Sequence, residues 1–262
     1  MTVTAGAIGV FDSGVGGVSV LKHIRGQLPR HHLLYVADSA HVPYGDKTPD
    51  FIRERSLTLT RFLVGEGAAA VVIACNTATA AAATALRARF DIPIIGMEPA
   101  VKPAVAATRS GVVGVLATVG TLESARFAAL LEQYAGDVEI VTQACPGLVE
   151  QVEAGELDSD ATRALIERYT QPLLTRGADT LVLGCTHYPF LKPLISAVVG
   201  PDVALIDTGE AVARQVVRRL SAAASAVQVE MPTARFWSTG DLASARRIVT
   251  QLWGRPVVVE AL

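Results

Sequence analysis

Short aliphatic runs alternate with longer segments of helical periodicity along this chain. Runs without a polar interruption are typical of strands that are buried on both faces of a parallel sheet. The predicted strands are Ile8–Phe11, Leu33–Val36, Ala70–Ala74, Ile92–Ile95, Val112–Leu116, Val138–Val141, Thr180–Leu183 and Val203–Ile206. The predicted helices between them include Val18–Leu28, Pro49–Glu66, Ala78–Phe90, Leu122–Tyr134 and Ser159–Thr175. Regular alternation of strand and helix predicts the α/β class.

Two stretches of the chain repeat about a hundred residues apart. Gly9–Ser13 aligns with Gly114–Thr118, and Val71–Thr77 aligns with Leu181–His187. In both pairs a similar turn follows a similar strand. The repeat predicts two α/β units of about the same size.

The segment after Asp207 belongs to neither copy of the repeat. Its pattern predicts a helix, a strand at Thr233–Trp237 and a helix at Leu242–Trp253, which we expect to pack back on the first unit. The first domain is therefore predicted to comprise residues 1–97 and 208–262, and the second to comprise residues 98–207.

Composition and charge narrow the class of protein. Hydrophobic residues make up 50% of the 262 positions and charged residues 18%, which excludes an intrinsically disordered chain. A net charge of -2 gives no general attraction to nucleic acid. Three cysteines without a C-x-x-C spacing argue against a disulfide scaffold and a metal site. The first residues lack a basic signal region, and the uncharged stretch 67–86 is too rich in alanine and threonine to span a membrane. We expect a cytoplasmic protein without membrane contact.

The turns after the predicted strands are where a ligand is expected, because α/β sheets bind ligands beyond the carboxyl ends of their strands. The glycine loop Asp12–Gly17 does not match a nucleotide-binding motif, and Asp12 would repel a phosphate. Its backbone amides suit a small anion such as a carboxylate instead.

Two cysteines occupy matching positions at the strand ends of the repeat. Cys75 precedes a predicted helix that Asn76 or Thr77 could cap, and a helix N-terminus lowers the pKa of a thiol. Cys185 has the equivalent place in the second unit, with His187 two residues later. A lone buried cysteine is usually a small hydrophobic residue. The matched pair favours function, whereas Cys145 has no counterpart.

Four motifs, in order along the chain, resemble those of the glutamate racemases in the aspartate/glutamate racemase superfamily. They are Phe11–Gly17 (FDSGVGG), Pro43–Gly45 (PYG), Ala74–Ala78 (ACNTA) and Gly184–Pro189 (GCTHYP). The Cys-Asn-Thr and Cys-Thr-His pair is the specific part of this resemblance. The resemblance implies two α/β domains facing each other across a cleft, and interconversion of L- and D-glutamate without a cofactor. It further implies a supply of D-glutamate for peptidoglycan, a homodimer and, in some members of the family, binding to DNA gyrase.

The resemblance also implies roles for individual residues. Cys75 and Cys185 are the implied acid/base thiols, facing D- and L-glutamate respectively, and Asp12 and His187 are their orienting or proton-accepting neighbours. The implied substrate-binding residues are Asp12, Ser13, Pro43, Tyr44, Gly45, Asn76, Thr77, Thr118, Thr121, Glu150, Thr186 and His187. Thr118, Thr121 and Glu150 follow the family pattern less closely than the others.

Two-base chemistry accounts for these residue types. One thiolate removes the α-proton while a thiol on the opposite face returns one, although a thiol of ordinary pKa is only a few per cent ionised at pH 7. Backbone amides, asparagine and threonine must stabilise the developing charge, because no metal or pyridoxal site is recognisable in the sequence.

Other readings of the sequence remain open. The alternatives are a racemase for aspartate or another acidic amino acid, a decarboxylase or isomerase of the same superfamily, and a non-catalytic binding protein on the same scaffold. Relative turnover rates on glutamate and aspartate distinguish the two kinds of racemase, and binding without any turnover would indicate the non-catalytic protein.

Overall fold

A computed structural model describes residues 6–223 and 229–262. The strands are β1 (Ala7–Asp12), β2 (Leu33–Ala37), β3 (Ala68–Ile73), β4 (Ile94–Ile95), β5 (Val112–Ala117), β6 (Glu139–Ala144), β7 (Thr180–Leu183), β8 (Ala204–Ile206), β9 (Ala234–Ser238) and β10 (Val259–Ala261). The helices are α1 (Val18–Gln27), α2 (Pro49–Gly65), α3 (Asn76–Arg89), α4 (Val101–Ala107), α5 (Val119–Leu122), α6 (Ala125–Tyr134), α7 (Leu148–Ala154), α8 (Asp160–Thr175), α9 (Lys192–Val199), α10 (Gly209–Ala223) and α11 (Leu242–Trp253). Short 3₁₀ turns cover Tyr44–Asp46 and Tyr188–Leu191.

The strands form two parallel sheets with the same internal order. The first sheet runs β10-β9-β2-β1-β3-β4 and the second β6-β5-β7-β8. The order β2-β1-β3-β4 of the first sheet thus recurs as β6-β5-β7-β8 in the second, and the neighbouring strands are parallel in both. This repetition is what the aligned sequence stretches predicted, and the α/β class is confirmed.

Both faces of the first sheet are covered by helices. Alternate side chains of a strand point to opposite faces, and β1 divides accordingly. Ile8 and Val10 join an apolar cluster with residues of α1, α10 and α11, whereas Ala7 and Phe11 join a second cluster with residues of α2 and α3. Burial on both faces explains why the strand sequences are continuous apolar runs rather than alternating patterns.

Some predicted boundaries differ from the observed ones. The predicted strand Ile92–Ile95 shortens to Ile94–Ile95, because Pro93 has no N–H to donate to a neighbouring strand. The predicted helix Leu122–Tyr134 is divided into α5 and α6. Ser124 separates them, and its hydroxyl accepts a hydrogen bond from the Phe127 N–H to cap α6.

The segment after residue 207 includes β9, which pairs in parallel with β2. Ser238 lies opposite Ala37 in this pairing, so β9 ends level with β2 and beside the turns that follow β1 and β2. Within residues 6–223 and 229–262, no helix is both long and apolar enough to cross a bilayer.

Candidate active site

A narrow cavity of about 10 Å³ lies where the carboxyl ends of strands from both sheets meet. It is lined by Ser13, Pro43, Tyr44, Gly45, Cys75, Asn76, Thr77, Thr118, Thr121, Val149, Gly184, Cys185, Thr186 and His187. The fold therefore brings together residues from turns that lie far apart in the sequence. Each sheet contributes one cysteine.

Cys75 itself is the N-cap of α3, because the helix begins at Asn76. The prediction that Asn76 or Thr77 caps this helix is therefore wrong. Its sulfur accepts a hydrogen bond from the Ala78 N–H at 3.4 Å and lies 3.9 Å from the Ser13 hydroxyl. Burial raises the pKa of the Cys75 thiol well above its ordinary value, and the negative charge of Asp12 raises it further. The Ala78 N–H has the opposite effect on this pKa but is outweighed. The helix end thus lowers this pKa as expected, but loss of solvent dominates, so the net shift is upward.

Cys185 has a different neighbourhood, built around an imidazole. Its sulfur lies 3.6 Å from Nδ1 of His187, and Nε2 of His187 lies 2.6 Å from Oε1 of Glu153. Burial lowers the pKa of His187, but hydrogen bonds to Cys185 and Glu153 raise it by more, so that it lies well above its ordinary value. The raised pKa favours the protonated imidazole, whose positive charge would lie beside the Cys185 sulfur.

The backbone amides of the glycine loop Asp12–Gly17 donate to carboxylates of the protein, those of Asp12 and Glu153. The Val15 N–H donates to Oε1 of Glu153 at 2.7 Å, across the boundary between the two sheets. A Cβ on Gly14 would lie 2.0 Å from that oxygen, and one on Gly16 would lie 2.3 Å from Nδ1 of His187. Glycine is needed at both positions because the backbone approaches the Glu153–His187 pair so closely.

Asp12 lies behind the cavity rather than in its wall. It is fully buried, and its carboxylate accepts hydrogen bonds from the Ser13 N–H at 2.7 Å, the Gly17 N–H at 2.6 Å and the Thr186 hydroxyl at 3.1 Å. Burial raises the pKa of Asp12, while the charge of His187 lowers it. Asp12 thereby anchors Ser13 and Thr186, which line the cavity from opposite units.

Hydroxyl groups close one side of the cavity. The Thr77 hydroxyl lies 2.9 Å from that of Thr118 and 3.1 Å from that of Thr121. Gly45 and Gly120 are in close contact beside them, since a Cβ on Gly120 would lie 3.0 Å from the Gly45 carbonyl oxygen. These contacts join the two units over the cavity.

Asn76 spans the two units and keeps one polar atom free. Its Nδ2 donates to the Gly184 carbonyl at 2.9 Å. Its buried Oδ1 has no hydrogen-bond partner among the residues that the structure describes. A buried acceptor without a partner is costly, so this oxygen is suited to a donor on a bound molecule.

Comparison with known proteins identifies the family of this chain. Residues 8–216 match the sequence model of the Asp/Glu/hydantoin racemase family. The chain belongs to that family. It is 57% identical over its full length to a glutamate racemase of Pseudomonas aeruginosa, covering 99% of that protein.

Solved structures of family members have the same fold. A glutamate racemase from Bacillus anthracis superposes with a TM-score of 0.89 at 33% identity, with 99% of this chain and 98% of that one covered. The Escherichia coli glutamate racemase, in complex with L-glutamate and the activator UDP-MurNAc-ala, gives a TM-score of 0.87 at 32% identity, with 98% of each chain covered. The two-domain α/β racemase fold is thereby confirmed.

Sequence analysis missed Glu153, which contacts the site residue His187 although it does not itself line the cavity. Glu150 is exposed and does not line the cavity. Both residues lie on α7, but Glu153 follows Val149 by four residues and so shares its inward face. The spacing from the apolar Val149 is the signal that distinguishes the two glutamates.

Cys145 is buried but lies outside the cavity lining. Its thiol donates to the Gln143 carbonyl at 3.3 Å, and burial raises its pKa to about 12. A thiol with this pKa stays protonated at neutral pH, so its surroundings match a structural residue.

Proposed function

We propose that this chain interconverts L- and D-glutamate by moving the α-proton between two thiols. The observation that carries the proposal is the cavity wall, in which each α/β unit places one buried cysteine at a matching strand end. The relatives named above are glutamate racemases over their full lengths.

The reaction needs one sulfur ionised and the other protonated at the start of each turnover. The His187 ring, whose pKa is raised, lies 3.6 Å from the Cys185 sulfur, whereas burial and Asp12 raise the pKa of the Cys75 thiol. The free site is therefore set for Cys185 to accept the proton of L-glutamate and for Cys75 to deliver one to the opposite face. In the reverse direction Cys75 is the base, and the Ala78 N–H stabilises its thiolate.

Polar groups around the cavity match the functional groups of the substrate. The free Oδ1 of Asn76 is placed to accept a hydrogen bond from the ammonium group. The Thr77 hydroxyl offers a donor to a substrate carboxylate, and a donor fixed in a closed site stabilises the charge that develops as the proton leaves. The hydroxyls of Ser13 and Thr186 donate to Asp12, so their oxygens are acceptors for the ammonium group. Other parts of the wall are formed by Pro43, Tyr44, Gly45, Thr118 and Thr121.

The first test is a circular dichroism assay on L-glutamate, with protein dialysed against chelator and no pyridoxal phosphate added. We expect the signal to decay to the racemic value. An unchanged signal, or a requirement for an added cofactor, would overturn the proposal. L-aspartate in a parallel assay tests the alternative substrate, and we expect much slower turnover.

A second test follows the isotopes in heavy water. With two thiols, Cys185 removes protium from L-glutamate and an exchanged Cys75 delivers deuterium. D-glutamate formed early is therefore deuterated at the α-carbon, while remaining L-glutamate keeps its protium. Mass spectrometry of the separated enantiomers at low conversion measures both. Protium retained in the product, or early exchange into recovered L-glutamate, would indicate a single base.

Several further proposals accompany this function. The domain division, residues 1–97 with 208–262 and residues 98–207, is supported by strand membership, since β1–β4, β9 and β10 share one sheet and β5–β8 the other. A cytoplasmic location and a role in supplying D-glutamate for peptidoglycan follow from the same proposal. A homodimer and a contact with DNA gyrase stay predictions of the family resemblance.

A further inference from the structure

The Pro43–Gly45 wall of the cavity belongs to a loop and not to a strand or long helix. It lies between β2 and α2, with a 3₁₀ turn over Tyr44–Asp46. Loops hold functional groups less accurately than regular elements unless side chains fix them. The wall has little freedom to move toward the second unit, because a Cβ on Gly45 would lie 3.0 Å from the Cβ of Thr118.

The Tyr44 side chain is what ties this wall to the rest of the first unit. It is almost fully buried, and its hydroxyl donates to Oδ2 of Asp38 at 2.5 Å. The phenolic proton is thus occupied by Asp38 and does not serve the substrate. Tyr44 therefore acts on the cavity through its position.

Asp38 is itself held by donors from two other segments. Arg55 of α2 binds it in a two-pronged arrangement, with Nε donating to Oδ2 at 2.9 Å and Nη2 to Oδ1 at 2.7 Å. The Thr239 hydroxyl donates to Oδ1 at 2.9 Å. The hydrogen bond to Asp38 is the main reason that the pKa of Arg55 is raised. Both oxygens of this fully buried carboxylate are satisfied, which makes the network rigid.

Thr239 connects the network to a distant part of the sequence. Thr239 follows β9, and its backbone N–H donates to the Ala37 carbonyl at 3.1 Å at the end of β2. The segment after residue 207 thus supports the cavity wall from behind, through Asp38 and Tyr44, and does not line the cavity itself.

We propose that Asp38, Arg55 and Thr239 are positioning residues that set the substrate-binding wall of the cavity by holding Tyr44. This inference rests on the proposed function, because its effect is read on glutamate turnover. The test compares the KM of each variant with that of the wild type. Turnover of glutamate by the wild type tests the proposed function separately.

Thr239→Val removes the hydroxyl at nearly constant volume. We expect the KM for L-glutamate to rise about threefold to tenfold, with kcat changed less than twofold, because the reacting thiols are untouched. Thr239→Ser, which keeps the hydroxyl, should restore the wild-type KM. Thr108→Val is the matched control: it removes a threonine–aspartate hydrogen bond to Asp179 of 2.6 Å outside the cavity lining.

A double-mutant cycle with Tyr44→Phe separates positioning from general stability. If Thr239 acts through the Tyr44 hydroxyl, Thr239→Val should change KM less than twofold in the Tyr44→Phe background. Arg55→Lys keeps the positive charge but loses the two-pronged contact with Asp38, and its effect on KM should likewise disappear in the Tyr44→Phe background. This variant tests the proposal if Thr239→Val folds poorly. Equal effects in both backgrounds, or an unchanged KM in Thr239→Val and Arg55→Lys, would overturn the proposal.

Discussion

At the scale of single residues, the two halves of the site differ although the repeat makes them look alike. Cys75 has a helix N-terminus and a nearby carboxylate, whereas Cys185 has the His187–Glu153 pair. The difference suits a reaction in which the two thiols begin in opposite states.

The three cysteines should respond differently to removal. Cys75→Ala and Cys185→Ala should each lower kcat for racemisation by about 10³-fold or more, because one of the two bases is lost. Cys145→Ala should keep most of the activity, since its thiol lies outside the cavity lining. The dichroism assay measures all three, and near-normal racemisation by either of the first two variants would refute the pair.

Glu153 should control the pH dependence through His187. The pKa of His187 is raised in the folded protein partly by Glu153, so Glu153→Gln should lower that pKa. A lower pKa means that the imidazolium is lost at lower pH, and the alkaline limb of kcat/KM should shift to lower pH. We also expect kcat/KM at neutral pH to fall about 10²-fold.

Profiles of kcat/KM against pH for wild type, Glu153→Gln and Glu150→Gln test this assignment. Glu150 is the matched control because it lies on the same helix and is exposed. An alkaline limb that stays in place in Glu153→Gln would count against the role of Glu153.

At the scale of elements, the glycine loop between β1 and α1 connects the units. Its Val15 N–H binds Glu153, the Ser19 hydroxyl of α1 donates to the Thr186 carbonyl at 2.9 Å, and the Tyr35 hydroxyl of β2 holds the Gly14 carbonyl at 2.7 Å. The loop is anchored on both sides and cannot yield to a larger side chain.

Gly16→Ala should therefore damage both stability and activity. The new methyl would overlap the His187 ring, which is fixed by Glu153 and Cys185, and overpacking of this kind costs about 1–3 kcal/mol. We expect Tm to fall by several degrees and kcat/KM by about 10²-fold.

Gly26→Ala is the control, because a Cβ there would meet nothing within 4 Å in helix α1. It should raise stability by about 0.5–1 kcal/mol. Thermal unfolding and the racemase assay compare the two variants, and similar behaviour of both would contradict this account of the loop.

At the scale of the whole molecule, polar contacts between the units surround the cavity. Asn76 reaches the Gly184 carbonyl, Thr186 reaches Asp12, and Thr77 meets Thr118. The site exists as a closed cavity only when both units are in this arrangement.

Gly120→Ala should disturb that arrangement without unfolding either unit. Alanine suits helix α5, but its Cβ would lie 3.0 Å from the Gly45 carbonyl oxygen and 3.2 Å from Cγ2 of Thr77. We expect kcat/KM to fall about tenfold, because small displacements of reacting groups slow a reaction strongly, while Tm changes little. Gly65→Ala, with nothing within 4 Å of the new Cβ, should leave kcat/KM unchanged. An unaltered kcat/KM in Gly120→Ala would show that the close contact between Gly120 and Gly45 is not needed for activity.

The sequence by itself determined the α/β class and the repeat, because strands buried on both faces must be continuous apolar runs and equivalent turns must follow equivalent strands. It also singled out Cys75 and Cys185, since both follow the matching strands of the repeat and open toward the ligand edge.

Only the tertiary structure decided what each of these residues meets. The partner of the glycine loop is Glu153, 138 positions from Val15, and Thr239 lies 201 positions from Asp38. No periodicity or local motif encodes contacts of that separation, because they depend on how two units and a returning segment pack together. For the same reason burial, and with it the raised pKa of Cys75, was decided by the fold and not by the residues beside it in the chain.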